Sequence, residues 1–327
     1  MTRTSLIVVV CLSMFAAGPA LAAKKQLALV LGGLDNPFFQ TVADGCTQWT
    51  KDHPDSDYEC VPTGPKSSST PADELKLVED AIAGGAVAIG VAPATDGIPK
   101  LLKDKGVTIP VITVAGDFAG DDQALRKSWV TADDYQVGVE IAKLIQKFRP
   151  DGGVLCREQN NAKALNINMR AAGLLDTLTG KVGATELAGE NGWTEAKGCP
   201  LYNNDDLATA DKQLTKALAG NPKLNTMVLV GGWAMFDQKA YTKALAKVTK
   251  RLASGDLVIV AGDGLPMQLD ELRAGLVQGL AVPLPFQIGV SAADTMAKLA
   301  AGETVPPKVT AALGICTKET ADTCTAH

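Results

Sequence analysis

Leu27-Ala28-Leu29-Val30-Leu31-Gly32-Gly33-Leu34-Asp35-Asn36-Pro37-Phe38-Phe39 is the stretch that decides the fold. An apolar run of strand length stops at two glycines, turns through Asp-Asn-Pro and enters a helical pattern at Phe38. Pro37 suits the first helical position, where a missing N–H is no loss, and Asn36 stands where an N-cap belongs. Strand, tight turn and helix N-terminus follow one another as in an open parallel sheet, whose carboxyl edge is where ligands bind. Phe38 and Phe39 bring two rings to that edge beside the amide of Asn36. Such a surface suits a sugar ring, whose C–H faces stack on aromatics while its hydroxyls bond to an amide. Core packing is the plainer reading, because adjacent helical positions diverge and at most one ring faces the sheet squarely.

Outward from this segment, strand and helix alternate. Tyr58-Glu59-Cys60-Val61-Pro62 is a strand, Pro71 opens a helix closed by Gly84-Gly85, and Val87 to Val91 is a strand followed by Pro93-Ala94-Thr95-Asp96. Ile109 to Val114 is the next strand. The pattern restarts with a helix from Gln136 to Phe148, broken at Pro150-Asp151-Gly152-Gly153, and a strand at Val154-Leu155-Cys156. A helix around Met169 to Leu178, a strand from Val182 to Leu187, a helix from Leu207 to Leu218 and a strand from Met227 to Val230 come next. A helix from Tyr241 to Leu252 and a strand from Leu257 to Ala261 complete the series. Strands alternating with helices mean parallel sheets covered on both faces. Two such sets without a low-complexity linker give a clamshell with a cleft between its halves.

Composition bounds the function. The chain is 46% hydrophobic and 20% charged, an ordinary globular balance, and its 327 residues favour two domains over one. A net charge of −5 leaves no basic footprint for nucleic acid. Arg3, the apolar run Leu6–Ala16 and Ala20-Leu21-Ala22 read as a secretory signal cleaved near Ala22, too short for a comfortable membrane span.

Beyond Cys11, inside the signal, six cysteines remain, an even number in an exported chain. Cys46 falls on the first helix and Cys60 on the second strand; Cys316 and Cys324 are near neighbours; Cys156 and Cys199 are left. The expected disulfides are therefore Cys46–Cys60, Cys156–Cys199 and Cys316–Cys324. Zinc is the competing reading, but no Cys-x-x-Cys occurs and the only histidines are His53 and His327. No metal or other cofactor is expected.

Asn36-Pro37-Phe38-Phe39 after a first strand resembles the periplasmic sugar-binding proteins of ribose-binding type, the ligand-capture subunits of ABC importers. Ile109-Pro110-Val111-Ile112-Thr113-Val114, Asp133-Asp134-Tyr135-Gln136-Val137-Gly138, Ala261-Gly262-Asp263-Gly264, Pro285-Phe286-Gln287-Ile288-Gly289 and Gly302-Glu303-Thr304-Val305-Pro306 are similar to that family's landmarks, in its order. The resemblance runs from about Lys24 to Val309. It implies a periplasmic binding protein type I fold: two doubly wound α/β lobes joined by a three-crossover hinge. The lobes would be 23–131 plus 284–309 and 132–283 plus 310–327.

It also implies a ligand set. Asn36, Phe38 and Phe39 match the first-lobe hydrogen bond and ring-stacking positions. Arg170 matches an arginine whose planar fork suits vicinal hydroxyls; a solvated helix arginine is the bland alternative. Trp193, between Asn191-Gly192 and polar residues, matches the aromatic that closes on the other sugar face, although a lone tryptophan is more often core. Asp263 matches a carboxylate acceptor, and its strand-end position agrees. Asp117 stands in for a carboxylate group that relatives carry nearer the strand end, where this chain has Ala115-Gly116. The usual asparagine after the Met227–Val230 strand is replaced by Gly231-Gly232-Trp233, so Trp233 fills the space with a ring or packs in its lobe. A glutamine before the last crossover is Pro283. Losing two amides argues against identical specificity, since buried polar contacts discriminate strongly. Asn160, in the loop after Cys156, is a further candidate beside a plain solvated-loop reading. Asp133 and Asp134 sit at the first crossover, where an N-cap role is expected for at least one of them rather than ligand contact.

The expected function is capture of a sugar or polyol by a monomeric, periplasmic, non-enzymatic receptor and its delivery to a membrane permease. A chemoreceptor reading the closed form is a second expected partner. A transcriptional regulator of the same fold would need an N-terminal DNA-binding helix pair, where this chain carries a signal-like segment. A secreted carbohydrate-active enzyme is the other alternative; there is no Gly-x-Ser-x-Gly elbow and no Gly-Lys-Ser/Thr phosphate loop.

Overall fold

The computed structural model describes residues 23–67 and 71–324; the signal segment up to Ala22 and His327 lie outside the described residues.

The opening stretch folds as its sequence dictates. β1 (Lys25–Val30) runs into α1 (Pro37–Asp52), and Asn36 Oδ1 accepts from Phe38 N at 2.9 Å as the N-cap. Val42, Gly45, Cys46 and Trp49 form its buried stripe, at helical spacing. The first lobe continues through β2 (Tyr58–Thr63), α2 (Pro71–Ala83), β3 (Ala88–Val91), α3 (Gly97–Asp104), β4 (Val111–Val114) and β5 (Ser128–Ala132). β3 and β4 are buried along their whole length, as expected of interior strands with helices on both faces. Pro62 lies in β2, the edge strand, where a missing ladder N–H costs least.

The second lobe comprises α4 (Asp134–Phe148), β6 (Gly153–Gln159), α5 (Leu165–Thr179), β7 (Trp193–Glu195), β8 (Leu201–Tyr202), α6 (Leu207–Gly220), β9 (Thr226–Leu229), α7 (Gln238–Leu245), α8 (Thr249–Ala253), β10 (Val258–Gly262), α9 (Pro266–Arg273) and β11 (Gly279–Val282). The chain then returns as α10 (Pro285–Ala300) and β12 (Lys308–Ala311) to the first lobe and closes with β13 (Gly314–Thr317) in the second. The first sheet runs β12-β5-β4-β3-β1-β2, all parallel; the second runs β13-β11-β10-β9-β6-β7, with β8 also on β6 and β13 antiparallel to β11. Three passages therefore join two parallel-sheet lobes. Thr131 and Ala132 pair with Thr310 and Ala311 in the first sheet, so both strands run slightly further there than the expected boundaries.

The lobes repeat one packing device. In the first, α1 crosses α10 so closely that a Cβ on Gly289 would lie 2.0 Å from Val42 O, and one on Gly45 would lie 2.1 Å from Phe286 O. In the second, α4 crosses α5 through Gly138, 1.9 Å in the same sense from Arg170 O, and Gly173, 2.0 Å from Tyr135 O. All three expected disulfides are present.

Two expectations fail. Val182–Leu187 forms no strand and Val182 is 96% exposed; the sheet takes β7 and β8 instead. The helix expected from Tyr241 to Leu252 is two, α7 and α8. β5 and β11–β13 are not among the strands read from the sequence; pairing with a neighbour makes them strands.

Candidate functional site

The loops that follow the carboxyl ends of the strands in one lobe meet those of the other. Across this line Lys163 Nζ, after β6, lies 3.6 Å from Asp96 Oδ2, after β3. Thr131, at the end of β5, has its hydroxyl 3.0 Å from Ala115 O and 3.1 Å from Asp134 Oδ2, at the start of α4.

On the first-lobe side, the glycines after β1 let the chain turn, and the Phe39 ring lies over Gly32: a Cβ there would be 3.1 Å from Phe39 Cε2. Phe38 stands edge-on to Phe39, with centroids 5.6 Å apart and planes at 80°. Both rings are half-buried, as befits a partly exposed apolar surface at a strand end. Asn36 is buried and its Oδ1 is engaged as the helix cap.

The second-lobe side is built round Arg170, which is 3% exposed and so no solvated helix arginine. Its Nε donates to Asp134 Oδ1 at 2.8 Å, and its Nη1 to Asp263 Oδ1 at 3.1 Å and Val230 O at 3.2 Å. Of the paired aspartates at the first passage, Asp133 caps α4 by accepting from Gln136 N, which leaves Asp134 for the arginine. Asp263 follows β10 in the left-handed region, φ +64°. Gly262 must be glycine: a Cβ there would sit 2.4 Å from Val230 O and 3.1 Å from Arg170 Nη1.

A second cluster adjoins the first. Trp233, after β9, donates Nε1–H to Asp205 Oδ1 at 2.5 Å, and Asn160, after β6, donates Nδ2–H to Asp205 Oδ2 at 3.0 Å. Asp205 itself has φ +63° and feels the charge of Asp35 from the opposite lobe. Burial pushes the carboxyls of Asp134, Asp205 and Asp263 above the ordinary range. Arg170 draws the first and last back down, while Trp233 and Asn160 do so for Asp205. The substitution of Gly-Gly-Trp for asparagine is self-consistent. Gly232 has φ +87°, Gly231 lies so near the indole that a Cβ would be 2.3 Å from Trp233 Cζ3, and the indole N–H supplies the donor.

Asn36, Phe38 and Phe39 thus lie at a first-lobe strand end, and Asn160, Arg170, Trp233 and Asp263 form linked clusters at the second-lobe strand ends. Two expected residues lie elsewhere. Trp193 is 1% exposed and opens β7 opposite Gly153, at the amino end of the sheet, away from the cleft. Its glycine-containing flank serves a backbone crossing: a Cβ on Gly152 would lie 2.5 Å from Gly192 C. Asp117 receives Arg126 Nε at 2.5 Å and Nη2 at 2.6 Å together with Thr113 Oγ1 at 2.7 Å, all within the first lobe. Of Asp133 and Asp134, expected to include at least one cap, the first caps α4 and the second pairs with Arg170; Asp205 is not among the expected residues. The signal available for Asp205 was the polar Asn203-Asn204-Asp205-Asp206 run before α6, the position of a strand-to-helix turn.

A periplasmic binding protein domain is matched over residues 27–304, nearly the whole described chain. The chain belongs to the periplasmic binding protein family. Among curated members, this periplasmic binding protein is 25% identical over 291 residues to the D-ribose/D-allose-binding protein of Pseudomonas aeruginosa, covering 86% of this chain and 84% of that one. It is 26% identical over 302 residues to the ribose import binding protein of Escherichia coli, covering 91% and 92%. Among solved structures, an ABC transporter solute-binding protein of Agrobacterium vitis with bound D-fucose superposes with a TM-score of 0.78 at 21% identity, over 91% of this chain and 97% of that one. That likeness shows the two-lobe fold. Among the described residues no group of three or more His, Cys, Asp or Glu is placed to hold a metal ion, and no helix is long and apolar enough to cross a membrane.

Proposed function

We propose that this periplasmic binding protein captures a sugar or polyol between its lobes, in the periplasm, and delivers it to the membrane permease of an ABC importer. What supports the reading is that two half-exposed phenyl rings follow a first-lobe strand end and a buried Asp263–Arg170–Asp134 array follows second-lobe strand ends, on the edges where the lobes meet through Lys163 and Asp96. Rings offer stacking faces to the C–H surface of a sugar. Carboxylate and guanidinium offer charged acceptors and donors to its hydroxyls, which make stronger hydrogen bonds than neutral partners do. The curated relatives are named for ribose and allose, and the Agrobacterium protein holds D-fucose, all neutral polyhydroxylated rings. Asn36, Phe38, Phe39, Asn160, Arg170, Asp205, Trp233 and Asp263 are the proposed ligand contacts or their immediate supports. Catalysis is not part of the reading: each group binds hydroxyls without any bond being broken.

A thermal-shift screen of the mature chain against pentoses, hexoses, polyols and non-sugar solutes tests this. A ligand of the folded state stabilises by about 2.7 kcal/mol at a hundredfold excess over Kd. A shift confined to non-sugar solutes would transfer the site to another ligand class.

A further inference from the structure

Two cleft loops of the second lobe, one bearing Trp233 and the other Asp263, converge on a single side chain. Gln268, in the first turn of α9, is wholly buried. Its Oε1 accepts from Leu265 N at 2.9 Å, and its Nε2 donates to Gly262 O at 3.2 Å. The two bonds fall on either side of Asp263, whose φ of +64° lies in the left-handed region. The same amide nitrogen lies 3.7 Å from Met235 Sδ and would be 2.3 Å from a Cβ on Gly232, so it also abuts the turn that presents Trp233.

A glutamine in a first helical turn commonly returns to the N-cap N–H, and the bond to Leu265 is that ordinary cap. The bond to Gly262 and the contacts with Gly232 and Met235 lie outside the helix and are not explained by capping. Leucine would fill the same space yet leave the Leu265 N–H and Gly262 O without this partner in the interior. We infer that Gln268 is a positioning residue: it clamps the Trp233 and Asp263 loops in one relative arrangement and so sets the hydrogen-bonding geometry offered to a ligand. Its effect on affinity rests on the sugar-binding reading; its effect on the loops does not.

The test uses the full mature chain, its Gln268→Leu and Gln268→Glu variants, and D-ribose and D-allose as probes. Without ligand, hydrogen–deuterium exchange at the Leu265 amide should speed by about tenfold or more in Gln268→Leu, the factor for losing one hydrogen bond of ordinary strength. Trp233 emission should shift, while the β1 amides keep their protection. Gln268→Glu discriminates a clamp from mere space-filling. In this dry interior burial raises the carboxyl, so at about pH 5 it is protonated, donates to Gly262 O as the amide does, and should match the parent at the same pH. At about pH 8 its carboxylate still accepts from Leu265 N but opposes the Gly262 carbonyl, so the Trp233 shift of the leucine variant should appear while the Leu265 amide keeps its protection. Where the parent binds either sugar, Kd should rise about tenfold in Gln268→Leu and recover in Gln268→Glu at the lower pH. Unchanged Leu265 exchange in Gln268→Leu overturns the clamp whatever the parent binds. Loosened loops with unaltered sugar affinity overturn the positioning role. If the parent binds no sugar but the exchange pattern holds, the clamp stands and the sugar reading falls.

Discussion

Arg170 donates from Nη1 to Asp263 Oδ1 at 3.1 Å across 93 positions of sequence, and both side chains are almost wholly buried. α5 supplies the arginine and the end of β10 the carboxylate, so their contact ties the two halves of the second lobe at the cleft edge. Asp134, 2.8 Å from Arg170 Nε, adds the segment through which the chain enters that lobe. One guanidinium thus organises three separate parts of the fold.

Removing that guanidinium while keeping the stem strands two buried carboxyls. Arg170→Met should lower stability by about 3–5 kcal/mol in urea unfolding, the cost of breaking a buried pair from one side. The deficit should shrink in acid, where Asp134 and Asp263 take up protons. Asp263→Asn, which keeps a hydrogen-bond acceptor for Arg170, should cost much less stability but weaken sugar binding by roughly tenfold to a hundredfold, since a charged acceptor is lost. A loss below about 1 kcal/mol in Arg170→Met would mean the array does not hold the lobe.

Gly138 places Arg170 by letting α4 approach α5. A methyl group there would stand 1.9 Å from Arg170 O, so helix separation must change. Gly138→Ala should cost about 1–3 kcal/mol or more. Gly183→Ala, with nothing within 4 Å but φ +80°, should show only the smaller backbone strain of about 1 kcal/mol. Equal melting temperatures for the two variants would contradict the close-packed crossing.

Buried carboxyls impose a pH dependence. Burial raises Glu74 to about 8, Glu271 to about 8 and Glu158 to about 7, and each has at least one carboxylate oxygen without a hydrogen-bond partner. The folded chain therefore keeps protons that the unfolded chain releases near pH 4.5. Stability is full below that value and falls as pH rises towards about 8. The unfolding free energy should therefore drop steadily over this range. Glu74→Gln, which keeps an acceptor for Ala94 N, should flatten the profile. A profile of unchanged slope in that variant would place the titration elsewhere.

The disulfides should differ in worth. Cys156–Cys199 spans a sequence separation of 43 and Cys316–Cys324 one of 8. On loop-closure entropy the longer link contributes about 1.5 kcal/mol more, so the paired alanine variant at 156 and 199 should melt well below the one at 316 and 324. The reverse order would show that local packing, not chain entropy, sets their contributions.

Much of this was legible because it is local. Asn36-Pro37 announces a helix start without any tertiary information, and the α1 and β2 cysteines fall together because adjacent βα elements pack together. Trp193 was misread because Gly192 resembles a binding loop, whereas its glycine answers a backbone crossing with Gly152. Asp117 was misread because its partner Arg126 lies beyond a short turn that carries no pattern. Asp205 was missed because β8, only Leu201–Tyr202, is too short to reveal the strand end it marks. Arg170 was found by resemblance, but its carboxylate partners belong to three-dimensional contacts that no spacing encodes.

The central claim is that a sugar or polyol lies between the Phe38–Phe39 edge and the Arg170–Asp263 array. Calorimetric titration addresses it most directly, using the sugar with the largest thermal shift against the parent and a Phe38→Ala/Phe39→Ala variant. One site per chain is expected, with affinity reduced by at least about tenfold when both rings are removed. A parent that takes up no sugar, or a ring-less variant that binds as tightly, would contradict the account.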